Sequence, residues 1–130
     1  MRLRGMAGCV AMSAALLWTP RALAHHSNSA FYVTKIITIQ GVVKEFRWSN
    51  PHVWVILTVD DGKGNKVDWK AEGRPPGILA RAGWTPKSLQ PGETVTIDLS
   101  PAKDDTASGL IARVTKADGT ILANAPAPTE

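Results

Sequence analysis

Three histidines, His25, His26 and His52, are the side chains of this chain best suited to chemistry, and the first two are adjacent. Neutral imidazole is a ligand for divalent transition metals, and a histidine that begins a chain adds its own α-amino nitrogen to the same ion. His25 has that position if the residues before it are removed as a leader ending at Ala24. A third nitrogen would then come from His26 or His52, the only other imidazoles. Such a nitrogen set suits Cu(II) best among the common divalent ions, followed by Ni(II) and Zn(II). Binding would weaken at low pH, because amine and imidazole must first lose protons. The plainer reading is that the adjacent histidines are solvated and that His52 bonds backbone at a strand end.

The leader is read from three zones. Met1-Arg2-Leu3-Arg4 is basic, Met6 to Trp18 is apolar over 13 residues, and Ala22-Leu23-Ala24 offers small residues for cleavage. That is the secretory pattern. A stable membrane anchor is not expected, because a span needs roughly 20 apolar residues and Pro20-Arg21 ends this run early. Cys9 precedes the apolar bulk instead of following it, so lipidation is not expected either. Cleavage removes Arg2, Arg4 and Arg21 with no acid, taking fifteen basic residues to twelve against eleven acidic ones. The pI near 9.5 therefore belongs mainly to the leader, and no nucleic-acid partner is implied. The only Cys and all three Met leave as well, so the remaining 106 residues hold no disulfide and no sulfur ligand of the kind Cu(I) favours. The expected destination is the periplasm or the exterior.

A second constellation is Phe46-Arg47-Trp48-Ser49-Asn50-Pro51-His52-Val53-Trp54. Trp48 with Arg47 and Asn50 would make a stacking platform for a sugar or another planar ligand if exposed, whereas buried tryptophans would be core. A third is Trp69-Lys70-Ala71-Glu72-Gly73-Arg74, where Glu72 is either a ligand contact or, the preferred reading, half of a surface ion pair with Arg74. Lys103-Asp104-Asp105 reads as a solvated loop. Without a Cys beyond the leader, a Gly-x-Ser-x-Gly elbow or a glycine-rich phosphate loop, an enzyme is the less favoured class.

The elements that must position these residues are strands. Ile36 to Trp48 carries β-branched and aromatic residues, with Ile37 and Ile39 on one parity and Val42, Phe46 and Trp48 on the other, which suggests a bulge or bend at Gly41. Val53 to Val59 forms a second strand, closed by the turn chemistry of Asp60-Asp61-Gly62-Lys63-Gly64-Asn65. Val67, Trp69 and Ala71 mark a third. Ile78, Leu79 and Ala82 fit one face of a short helix opened by prolines and ended by Gly83. Val95, Ile97 and Leu99 alternate in a fourth strand up to Pro101; Leu110, Ala112 and Val114 supply a fifth, and Asp118-Gly119 turns into a short extension at Ile121-Leu122. The fold class is therefore mainly all-β. It is expected as a small five-stranded, partly open OB-like barrel with one short helix between strands three and four, or alternatively as a β-sandwich. The domain is placed at residues 25–122, between the leader at 1–24 and a disordered tail at 123–130.

The motifs His25-His26-Ser27, Phe46-x-Trp48-x-Asn50-Pro51-His52, Trp69 with Glu72, Leu79-x-Arg81-x-Gly83-Trp84 and Pro91-Gly92 occur together. In them the chain resembles a family of small exported bacterial proteins of unknown function with a mature His-His-Ser start and a central Asn-Pro-His. The resemblance implies a periplasmic β-barrel-like domain and no established activity. It also leads to an acidic residue after Phe31, where this chain has Tyr32. The expectation from the residues themselves is a non-enzymatic binding protein holding Cu(II) or Zn(II) through His25, His26 and His52. The alternatives are an envelope module that recognises a polymer or partner protein through a Trp-bearing β face, and an accessory subunit of a periplasmic redox enzyme.

Overall fold

A computed structural model describes residues 32–125. Six strands and one helix follow in the order β1 (Ile37–Arg47), β2 (Trp54–Asp60), β3 (Lys66–Glu72), α1 (Pro76–Arg81), β4 (Thr94–Pro101), β5 (Ser108–Lys116) and β6 (Ile121–Ala123). Antiparallel pairing runs β3-β2-β1-β4-β5-β6, and β3 also pairs in parallel with β5 through Lys70↔Ser108, Ala71↔Gly109 and Glu72↔Leu110. That last seam closes five strands into a barrel. The OB-like order read from the sequence is the one that forms, and closure excludes the sandwich. Closure gives the end of β3 a second partner where an open sheet would present a free edge.

Alternation determines what the barrel encloses. Val95, Ile97 and Leu99 of β4 are buried together with Val55 and Leu57 of β2. In β1 the inward parity changes, though not where the sequence suggested. Ile39 and Val43 point inward, Val42 is 43% exposed, and Lys44 is the extra residue between Val43↔Leu57 and Glu45↔Ile56, after which Phe46 packs on the core. Gly41 serves another purpose. A Cβ there would stand 2.4 Å from the Thr58 carbonyl oxygen, so glycine permits the close approach of β2. A similar bulge leaves Ala112 unopposed in β5, between Asp98↔Arg113 and Leu99↔Ile111. Gly109, Ile111 and Val114 are consequently buried, while Ala112 is exposed and Leu110 only half-buried, in place of the expected Leu110, Ala112 and Val114 parity.

Helix α1 begins at Pro76, where the missing N–H costs nothing in a first turn, and it ends before Gly83 at φ +91°. Leu79 from its buried face and Trp84 just beyond join the core. The Trp84 indole Nε1 donates to the Ala123 carbonyl at 2.7 Å, and the Asn124 side chain, itself buried, accepts from the Arg74 backbone N–H at 3.0 Å. The domain therefore extends through Asn124, past the boundary at 122: Ala123 and Asn124 satisfy buried donors of the segments on either side of α1. Residues 126–130 of the expected tail, and the leader, lie outside the described residues. Among the described residues no helix is long and apolar enough to cross a membrane.

Candidate functional site

His52 follows the cis Asn50-Pro51 peptide and precedes β2 by two residues. Val53 is buried and bonded to the residues just after β3, its carbonyl accepting from Gly73 N–H at 2.7 Å. Since side chains alternate along a strand, His52 and Trp54 face outward while Val53 and Val55 face the core. Glu72 pairs directly with Trp54 across the β2–β3 ladder, so its side chain also lies outside, diagonal to His52. This arrangement places His52 Nδ1 2.6 Å from Glu72 Oε1.

A third residue completes the cluster. Tyr32 lies in the arm before β1, which is tied to the end of β4 by a Tyr32↔Ala102 bridge and by Val33 N–H donating to the Pro101 carbonyl at 2.9 Å. The β3–β5 seam brings that end of β4 beside Glu72, and the Tyr32 hydroxyl donates to Glu72 Oε2. Both carboxylate oxygens are thus engaged, one by an imidazole and one by a phenol. Burial of Tyr32, then its hydrogen bond to Glu72 and the charges of Glu72 and Asp104, push the phenol above its ordinary range, so it remains a donor at any physiological pH.

Glu72 keeps only 14% of its side chain exposed, whereas His52 keeps 41%. The two sit on the wall of a small cleft of about 110 Å³, with Gly73, Arg74, Pro75, Ile78 and Leu110 as the rest of its lining. That is far below the roughly 300–1,000 Å³ of pockets that enclose an organic ligand, so the cleft fits an ion or a few waters better. An exposed imidazole beside a carboxylate can hold a metal or accept a proton. Among the described residues no three His, Cys, Asp or Glu side chains converge, so the barrel itself offers His52 and Glu72 and no complete metal site.

The other residues singled out from the sequence fall elsewhere. His25 and His26 lie outside the described residues. Trp48 packs against the core with its ring centroid 6.0 Å from that of Phe46, which in turn lies 6.2 Å from Trp84. Arg47 is on the outer side, its guanidinium bonded to Glu45 at 2.8 and 3.0 Å. The two do not form one platform, and Asn50 is exposed in the turn between them and His52. Glu72 is paired with His52 and Tyr32 in place of the surface ion pair with Arg74: one carboxylate oxygen meets the imidazole and the other accepts from the phenol. Tyr32 is the aromatic that anchors the arm beside His52, and it does so through Glu72; it takes the place of the acid that the family resemblance leads to, and the carboxylate at this site comes from β3.

Fold and site together define a small closed OB-like barrel bearing a Tyr–Glu–His cluster on its outer wall, where the N-terminal arm meets the β3–β5 seam. Residues 14–113 match DUF6152, a family of unknown function, and the chain belongs to that family. No curated protein and no solved structure matches it.

Proposed function

We propose that this is an exported, periplasmic, non-enzymatic binding protein that takes Cu(II), or Zn(II), through His52 together with the amine and ring of His25, assisted or replaced by His26. The observation that carries the reading is the Tyr32–Glu72–His52 chain of contacts. Five residues lie between His26 and Tyr32, a stretch that spans at most about 20 Å when extended. Tyr32 touches the carboxylate that touches His52, which supports a site that His25 and His26 could reach from the chain just before it. The small, half-open cleft beside His52 suits an ion. The envelope reading lacks comparable support, since Trp48 packs on Phe46 against the core.

The test is a Cu(II) titration of the secreted, processed protein beside a version carrying one additional residue before His25. Loss of affinity and a changed electron paramagnetic resonance spectrum in the extended version are expected, because the extra residue moves the α-amine away from the His25 ring. Equal affinities and equal spectra would eliminate the terminal-amine site. Replacement of His52 by alanine should weaken binding in both versions.

A further inference from the structure

We propose that Glu72 and Tyr32 are positioning residues that hold His52 in the Nδ1–H tautomer and so reserve Nε2 as its reactive nitrogen. The argument starts from a distance. His52 Nδ1 and Glu72 Oε1 stand 2.6 Å apart, and two atoms that each carry a lone pair repel at that separation unless a proton lies between them. A carboxylate in this position is an acceptor, so the proton is carried by Nδ1. In the neutral ring the lone pair then resides on Nε2, which is the tautomer a metal or a transferable proton would meet.

Glu72 is itself fixed from two directions. Its backbone is locked in the ladder with Trp54 on one side and in the parallel seam with Leu110 on the other. Its second oxygen accepts from the Tyr32 hydroxyl, whose protonated form is favoured by burial and by the adjacent carboxylate. The phenol thus prevents the carboxylate from rotating away from the imidazole. A carboxylate behind an imidazole raises ligand basicity and fixes ring orientation, and removing such a partner typically costs roughly 10–100-fold in metal affinity. The choice of metal as the recipient of Nε2 rests on the function proposed above; the tautomer and its cause do not.

The experiment therefore reads the ring in the metal-free protein first. Two-bond ¹H–¹⁵N correlation spectra of the processed protein, recorded at alkaline pH, should show His52 protonated at Nδ1 and bare at Nε2, the reverse of the form that free histidine favours in water. In E72A the ring should revert to Nε2–H, whereas E72Q, whose amide oxygen still accepts from Nδ1, should retain the native tautomer. Y32F should leave a mixture. Cu(II) titration of the same proteins should then show E72A about 10–100-fold weaker than the parent, with E72Q between them. A parent ring protonated at Nε2, or an E72A ring that keeps Nδ1–H, overturns the proposal. If E72A fails to fold, the parent and Y32F spectra still decide the matter. A protein with the stated tautomers that binds no Cu(II) would remove the metal reading and leave the role of Glu72 and Tyr32 standing.

Discussion

Alanine at Gly109 should open the seam that closes the barrel. Gly109 is buried at the centre of the β3–β5 pairing, opposite Ala71, and a Cβ built there would stand 2.4 Å from Leu99 Cδ1 and 2.7 Å from the Ser100 carbonyl oxygen. Favourable carbon contacts lie at roughly 3.5–4.0 Å, so the added methyl must displace Leu99 by about an ångström or more. Leu99 has a side chain that can rotate, although it is fully buried; Ser100 presents backbone in the β4–β5 ladder and cannot move without loosening that pairing. Overpacking of this kind costs about 1–3 kcal/mol, and the involvement of backbone puts G109A at the upper end. For a domain of this size a melting temperature falls by roughly 4–8 °C per kcal/mol, so a loss on the order of 10–20 °C is expected. The control is the same substitution at Gly77, exposed in α1 with nothing within 4 Å of its built Cβ. There alanine should stabilise by about 0.5–1 kcal/mol through helix propensity and a less disordered unfolded chain. Thermal and urea melts followed by circular dichroism measure both. If G109A melts within about 2 °C of the parent, the seam is not tightly packed and the argument for closure through glycine fails.

Other substitutions test the remaining joints. Asp98 accepts hydrogen bonds from Thr38 and Arg113, and those contacts hold its carboxyl below the usual range, Thr38 contributing most. A depressed carboxyl stabilises the fold above its unfolded value of roughly 3.9 and loses that contribution as pH falls through the lower, folded value. D98N should therefore cost about 1 kcal/mol at neutral pH, with the gap to the parent closing in strongly acidic melts. N124A strips the Arg74 N–H of its acceptor and should destabilise by about 1–2 kcal/mol, whereas a tail lying outside the domain would register nothing. L57A, at a fully buried position in the middle of β2, should cost about 2–5 kcal/mol in the same melts.

Local chemistry reveals strand order and the helix because each is written within a few residues. Val95, Ile97 and Leu99 alternate without interruption because the register shift of the β4–β5 pair is taken up in β5 by Ala112, and all three are buried. In β1 and β5 the parity slips at Lys44 and Ala112, residues with no side-chain signature of a bulge. Gly41 looked like such a signature but answers to the Thr58 carbonyl instead. Asn124 is hidden in the sequence for the opposite reason. It sits among alanines and prolines that have nothing to bury, yet its amide meets a backbone donor fifty residues earlier.

The site was half legible, and the missing half shows how closure creates it. His52 announced itself as one of three imidazoles, and Glu72 as a carboxylate at a strand end. Their contact joins positions twenty residues apart, and that between Tyr32 and Glu72 joins positions forty apart. The first follows once β2 and β3 pair, because the diagonal of an antiparallel ladder brings outward side chains two positions offset within reach. The second requires the seam. Only when Glu72 pairs with Leu110 does the start of β5, carrying the end of β4 with it through Pro101↔Gly109, come beside the carboxylate, and Tyr32 arrives there by its bridge to Ala102. The same pairing that completes the barrel thus assembles the Tyr–Glu–His cluster. Mutations that loosen the seam should disturb the His52 ring before they unfold the domain, a coupling that the G109A protein can display in the His52 nitrogen spectra at temperatures well below its melt.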